Sequence, residues 1–197
     1  MRARLCPLLV VGLLAASCGS GASPAPEGPG RAAPADRGPF PVTVPAANGK
    51  LRLNEAPERI VSLSPTATEI LFAIDAGDRV VAVDDQSDHP PQAPTTELSG
   101  FQPNVEAIAS YEPDLVVVST EPGGLERSLD KLKIPVLLQP AARRLADTYA
   151  QIEELGAVTG QADEAEGLER TMRTDIERIA GSVPEPDRPP TYYHELD

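Results

Sequence analysis

The sequence predicts an α/β fold, a three-layer lobe with a mainly parallel sheet. Short runs that are apolar throughout recur four times in the 197-residue chain, and segments with helical spacing separate them. Strands of this kind are typical of a parallel sheet that is covered by helices on both faces. No cysteine falls within the predicted lobe, so the fold must depend on its apolar core.

A small hairpin is predicted first, over residues 40–53. Apolar stretches flank Asn48-Gly49, and we predict that these two residues supply the positive φ values of a two-residue turn. The strands of the sheet are predicted at residues 60–63, 79–83, 115–118 and 134–138. Helical spacing predicts helices at residues 67–74, 105–111, 124–132, 142–158 and 163–180.

The last two predicted helices each carry an apolar stripe. The first stripe consists of Leu145, Tyr149, Ile152 and Leu155, and Gly156 or Gly160 marks the end of that helix. The second consists of Leu168, Met172, Ile176 and Ile179. The prediction therefore places the lobe at residues 40–160, a long helix at 161–182 and a proline-rich linker from residue 183. Residues 191–197 begin what looks like a new strand, which either pairs with this lobe or belongs to a second one.

The N-terminus is predicted to be an export signal. Residues 1–17 contain a basic start, a short apolar run and small residues, and the run is too short to span a membrane. Residues 15–18 resemble the lipobox of bacterial lipoproteins, which implies that Cys18 is acylated and anchors the chain to the membrane. Residues 18–39 are rich in Gly, Ser, Ala and Pro, as expected of a flexible tether. The alternative is an ordinary cleaved signal beside an incidental cysteine.

Charge and cysteine content exclude several classes of function. The formal net charge is −13, so nucleic acid and anionic lipid surfaces should repel the chain. Cys6 lies in the predicted signal and Cys18 would carry lipid, which leaves no thiol for a metal site. The sequence also lacks the glycine-rich phosphate-binding motifs and the Gly-x-Ser-x-Gly motif of hydrolases.

Two polar segments follow predicted strands and therefore should lie at the carboxyl edge of the sheet. Ser64-Pro65 follows the first strand, where it either simply starts a helix or faces a ligand. Residues 84–89, Asp-Asp-Gln-Ser-Asp-His, follow the second strand. Three carboxylates and a histidine could suggest a hard-metal site there, but loop-forming residues account for this segment and no second cluster has ligand spacing. We expect no metal site and no resident cofactor.

Four ordered blocks, at residues 59–74, 78–91, 103–108 and 113–118, resemble one protein family. The chain looks like the N-terminal lobe of substrate-binding proteins of ABC importers for cobalamin, ferric siderophores and haem. In that family two α/β lobes are joined by a long rigid helix, and the ligand lies between them. The resemblance implies that residues 161–182 are the connecting helix and that residues 191–197 start a second lobe. A frameshift, an error of gene prediction or a deliberate choice of a shorter segment would explain the missing lobe.

The resemblance also implies site residues. The residues placed at the ligand cleft are Pro65, Gln86, His89, Phe101, Ser119 and Thr120. The chain has no Trp, which disfavours cobalamin because large flat ligands are usually held by stacking on aromatic rings. Glu106 matches a carboxylate that docks onto arginines of the importer's membrane subunit, although a glutamate is also common in the first turn of a helix.

The expected function is therefore capture of a metal chelate outside the cytoplasm and its delivery to an ABC permease with its ATPase subunits, without catalysis. Two alternatives from other classes remain open at this point. One is the lobe of an exported α/β enzyme. The other is an adhesion or signalling lipoprotein that reuses the lobe.

Overall fold

The computed structural model describes residues 40–184 together with residues 188, 191 and 193. The predicted signal, Cys18 and the tether lie outside the described residues. Most of the predicted last strand lies outside them as well. Within the described residues, no helix is both long enough and apolar enough to cross a membrane.

The hairpin forms, but its turn differs from the prediction. Strands β1 (Val42–Ala46) and β2 (Gly49–Leu53) are antiparallel, and Ala46 pairs with Gly49. The two-residue loop is therefore Ala47-Asn48, one residue earlier than predicted, and only Gly49 has a positive φ, of 127°. The Asn48 side chain instead donates to the carbonyl oxygen of Val136 at 3.2 Å and to Glu126 Oε1 at 2.9 Å. It thus covers the outer edge of the last sheet strand.

The main sheet has the predicted parallel arrangement. Its strands are β3 (Ile60–Leu63), β4 (Val80–Val83), β5 (Leu115–Val118) and β6 (Val136–Leu138), in the spatial order β4-β3-β5-β6. All three pairings are parallel. Ile134 is not part of β6, since its backbone N–H bonds to the Leu129 carbonyl oxygen and closes the preceding helix.

Five α-helices surround the sheet in the described part of the chain, and a short 3-10 helix (Gly77–Arg79) precedes β4. The α-helices are α1 (Pro65–Ala73), α2 (Val105–Ala109), α3 (Leu125–Lys131), α4 (Leu145–Thr159) and α5 (Ala162–Ser182). Helix α4 begins three residues later than predicted, because Arg144 has an extended backbone with φ −143° and ψ 155°. Gly160 ends α4 with a positive φ of 71°, as predicted for a helix C-terminus.

Apolar side chains cover both faces of the sheet. Alternate residues of each strand point to opposite faces. One face packs against the hairpin, α1, α4 and the start of α5, and the other packs against α2 and α3. Tyr149, Ile152 and Leu155 of the predicted α4 stripe are buried in the first of these cores. Leu145 is 51% exposed, so its predicted place in the buried stripe is wrong. It is the first residue of α4 and lies beyond the edge of the core.

Helix α5 is attached to the lobe only along its first half. Gly156 of α4 allows the close approach, since a Cβ there would lie 2.4 Å from the Ala165 Cβ. Further along, the Arg173 guanidinium lies 3.9 Å from the centre of the Tyr149 ring. From Thr174 onward nearly every α5 side chain is exposed, including Ile179 at 54%. The end of the apolar stripe therefore faces solvent.

Candidate functional site

The carboxyl ends of the four parallel strands lie along one edge of the sheet, where ligands bind in open α/β folds. Pro65, residues 84–89, and Ser119 with Thr120 follow β3, β4 and β5 at this edge. The structure thus brings the segments that contain Pro65, Gln86, Ser119 and Thr120 to the same edge. The loop after β6 reaches it too. We call this surface the carboxyl edge.

A buried chain of hydroxyl groups fixes the junction between β3 and α1. Ser64 caps α1 and its Oγ accepts from the Ala67 N–H at 3.4 Å. Thr68 Oγ1 lies 2.9 Å from Ser62 Oγ and 3.1 Å from Ser87 Oγ, and all three residues are buried. Pro65, half-buried at the first position of α1, is therefore held by contacts beneath the edge.

Asp84 continues this buried network into the β4 loop. Ser87 Oγ donates a hydrogen bond to Asp84 Oδ1, and Asp84 is only 3% exposed. Burial raises the pKa of the Asp84 carboxyl group, with a smaller increase from Asp85, while the Ser87 hydrogen bond opposes the shift. A buried carboxylate with these partners is a structural anchor for the loop that contains Gln86.

The loop that carries Phe101 is folded back onto the same edge. The Asp85 N–H donates to the Leu98 carbonyl oxygen at 2.7 Å, and Thr96 Oγ1 donates to the Val83 carbonyl oxygen. Gly100 permits the tight contact, because a Cβ there would lie 2.7 Å from Asp84 Oδ2 and 3.0 Å from the Leu63 carbonyl oxygen. Phe101 follows at once and is 73% exposed. A firmly held loop thus presents an aromatic ring to solvent.

Phe101 and the loop after β5 line a shallow hollow of about 280 Å³. The Phe101 side of the hollow includes Pro103 and Val105, and the opposite side includes Pro122, Gly123 and Leu125. Ser119 is half-buried and Thr120 is exposed immediately before this second side. Of the predicted ligand-binding residues, Phe101 lines the hollow, while Ser119 and Thr120 lie just outside its lining.

Three other predicted residues are exposed without a defined role in the fold. Gln86 and His89 lie in the loop after β4, and the structure shows neither a hydrogen bond nor an ion pair from the His89 side chain to any described residue. Glu106 lies in the first turn of α2, where Asn104 Oδ1 accepts from its backbone N–H at 2.9 Å. Within residues 40–184, no three His, Cys, Asp or Glu side chains are grouped as they would be around a metal ion.

The loop after β6 also lies at the carboxyl edge, although none of its residues is among the predicted site residues. Gln139 extends the β5–β6 pairing, since its N–H donates to the Val118 carbonyl oxygen at 2.9 Å. Its buried side chain donates to Glu154 Oε2 at 2.9 Å. Arg143 and Arg144 follow on the exposed loop because α4 starts only at Leu145. The helix predicted at residues 142–158 included both arginines, so the prediction did not place them on a loop at this edge.

Two further hollows lie away from the carboxyl edge, between the hairpin and α3. They have volumes of about 250 and 480 Å³, and Asp130, Ile134 and Pro135 contribute to both. Neither is lined by any of the predicted ligand-binding residues. They are an alternative location for ligand binding, and a titration can distinguish them from the carboxyl edge.

The fold is one α/β lobe with an open carboxyl edge, and comparison with known proteins assigns it to a family. A family model described as periplasmic binding protein matches residues 60–197. The chain belongs to this family. It is 34% identical over 202 residues to a cobalamin-binding protein of Halobacterium salinarum, covering 98% of this chain and 55% of that protein. It is also 33% identical over 148 residues to an uncharacterised ABC transporter substrate-binding lipoprotein of Bacillus subtilis, covering 71% and 46% of the two chains.

Solved structures agree with this assignment. The fold matches the periplasmic vitamin B12 binding protein of Vibrio cholerae with a TM-score of 0.56 and 28% identity, over 64% of this chain and 50% of that chain. It matches a periplasmic haem binding protein of Pseudomonas aeruginosa with a TM-score of 0.59 and 25% identity, over 64% and 46%. The chain spans about half the length of the curated relatives it matches.

Proposed function

We propose that this chain is the N-terminal lobe of a receptor that captures a metal chelate of the cobalamin, haem or ferric siderophore class for an ABC importer. The observation that carries the proposal is the Phe101 ring, exposed on a firmly held loop at the carboxyl edge of a sheet of this family. Exposed aromatic rings on rigid supports are suited to large, flat or apolar ligand surfaces. The names of the relatives support the same ligand class. The H. salinarum and V. cholerae proteins are named for cobalamin or vitamin B12, and the P. aeruginosa protein is named for haem.

The site offers one wall rather than an enclosed pocket. Phe101, Gln86 and Thr120 are exposed, and the hollow beside Phe101 is shallow. Efficient small-molecule sites bury roughly 70–90% of the ligand surface. We therefore propose that a second lobe, joined through α5, supplies the opposite wall. We call the chain extended by that lobe the completed receptor.

The test of this function is ligand stabilisation without turnover. The completed receptor should gain about 2.7 kcal/mol of stability when cyanocobalamin, haemin or a ferric siderophore is present at a hundred times its dissociation constant. Thermal unfolding would show the gain as a rise of several degrees in Tm, and chromatography should recover the ligand unchanged. Chemical conversion of the ligand would instead support an enzyme, and no stabilisation by any of the three classes would reject the receptor.

We also propose that the lobe is held at the membrane through Cys18. The lipobox-like residues 15–18, the tether after them and the B. subtilis relative named as a lipoprotein support this proposal. Labelled palmitate should enter the protein in a bacterial host, and Cys18→Ala should abolish labelling and release the protein from the membrane fraction. Cys6→Ala is the matched control and should leave both unchanged. Wild-type protein that is unlabelled and soluble would contradict the anchor.

A further inference from the structure

The carboxyl edge has opposite charges at its two ends. Asp85 and Asp88 are exposed after β4, at one margin of the sheet. Arg143 and Arg144 are exposed after β6, at the other margin. Four neighbouring strands place these margins three strand spacings apart, roughly 14 Å. In a chain with a net charge of −13, a pair of cations beside the site is a distinct local feature.

The loop that carries the arginines is held firmly to α4 at both ends. At its start, Gln151 Nε2 donates to the Pro140 carbonyl oxygen at 2.6 Å, beside the buried Gln139. At its end, the N–H groups of Arg143 and Arg144 both donate to Asp147 Oδ2, each at 3.1 Å. The backbone is thus fixed while the side chains project outward, which reduces the entropic cost of binding a ligand.

The stability of α4 does not account for these two cations. Positive charges at a helix N-terminus are unfavourable because they meet the positive end of the helix dipole. Asp147 compensates for Arg144, whose Nη2 lies 2.8 Å from Asp147 Oδ1. The Arg143 side chain forms no ion pair or hydrogen bond with the residues that the structure describes. Its guanidinium is therefore available to a ligand.

We infer that Arg143 and Arg144 form the anion-recognising end of the site, so that the preferred chelates carry a carboxylate or phosphate group at their periphery. This inference rests on the proposed function. Arginine presents a planar fork of N–H donors that matches both groups. Asp85 and Asp88, at the opposite margin, repel the same groups and so fix the direction in which the ligand lies.

The test compares paired ligands that differ in the anionic group. Gallium protoporphyrin IX is paired with its dimethyl ester, which differs only in the two carboxylates. Cyanocobalamin is paired with dicyanocobinamide, which lacks the phosphodiester together with the nucleotide attached through it. All four are diamagnetic, so chemical-shift titration of the ¹⁵N-labelled 197-residue chain can measure even millimolar affinities. We expect the member of each bound pair that carries the anionic group to bind about 10- to 100-fold more tightly, as charge-assisted hydrogen bonds would give.

The double substitution Arg143→Gln/Arg144→Gln should remove most of that preference while changing little the affinity for the partner that lacks the anionic group. Arg127→Gln/Lys131→Gln, which removes two exposed cations from α3, is the matched control and should keep the preference. Equal affinity for both members of the pairs, or an unchanged preference in the arginine variant, would overturn this inference and leave the receptor assignment intact. Absence of binding by all four ligands would reject both. The comparison of paired ligands on the wild-type chain requires no variant to fold.

Discussion

The 197-residue chain is expected to bind cobalamin, haem or ferric siderophores about a thousandfold more weakly than the completed receptor. If the missing wall contributes half of a micromolar binding energy of about −8 kcal/mol, the remainder corresponds to about millimolar affinity. The exposure of Phe101, at 73%, is the structural reason, because a ligand lying on it would keep its other face in water. Calorimetry or fluorescence quenching on both proteins measures the ratio.

The 197-residue chain and the completed receptor should also differ in self-association. Ile179 and Val183, at the end of α5, are 54% and 63% exposed, and Met172 and Ile176 lie half-buried on the same helix. Contiguous exposed apolar surface favours contacts between molecules. Sedimentation should therefore show self-association of the 197-residue chain that the completed receptor lacks. Submicromolar affinity from the monomeric 197-residue chain would contradict the one-walled site.

The second large effect is expected at Glu106, for which we propose a docking role at the importer. In the completed receptor, Glu106→Arg should reduce uptake into cells at least about tenfold while the affinity for the ligand stays within about twofold. Glu106 is exposed in the first turn of α2, and placing a cation opposite the proposed arginines of the permease would replace attraction by repulsion. Uptake of radiolabelled ligand and calorimetry provide the two measurements.

Glu153→Arg is the matched control for Glu106→Arg. Glu153 is an exposed glutamate of α4, on the other face of the sheet from α2, and the substitution changes the charge by the same amount. It should leave uptake near the wild-type rate. Equal loss of binding and uptake in the Glu106 variant would place Glu106 in the ligand site and exclude docking as its role.

The strands of the sheet could be predicted because burial on both faces leaves an apolar signature in the sequence, as in Leu115–Val118. The hairpin turn was displaced by one residue because the Asn48 side chain bonds to β6, about 90 positions later in the chain. No local pattern encodes such a contact. The hairpin as an element was nevertheless predicted, since the alternating apolar residues around Gly49 are local.

The site was only partly predictable for a similar reason. The loops after β3, β4 and β5 follow from the rule that parallel strands end at one edge. The fold-back of the Phe101 loop depends on contacts of Gly100 with Asp84 and Leu63, which lie far apart in sequence. Arg143 and Arg144 are a different case, because both N–H groups donate to nearby Asp147 Oδ2. The contact that starts α4 at Leu145 is therefore local, and helical spacing alone did not reveal it.

We propose that the carboxyl edge is the ligand-binding surface of a metal-chelate receptor. The most direct measurement is a map of backbone amide shifts when the ¹⁵N-labelled chain is titrated with cyanocobalamin and gallium protoporphyrin IX. At least one ligand is expected to shift the amides of Gln86, Phe101, Ser119 and Thr120 most strongly. Largest shifts around the hollows beside Asp130 and Ile134, or no saturable shifts with either ligand, would contradict it.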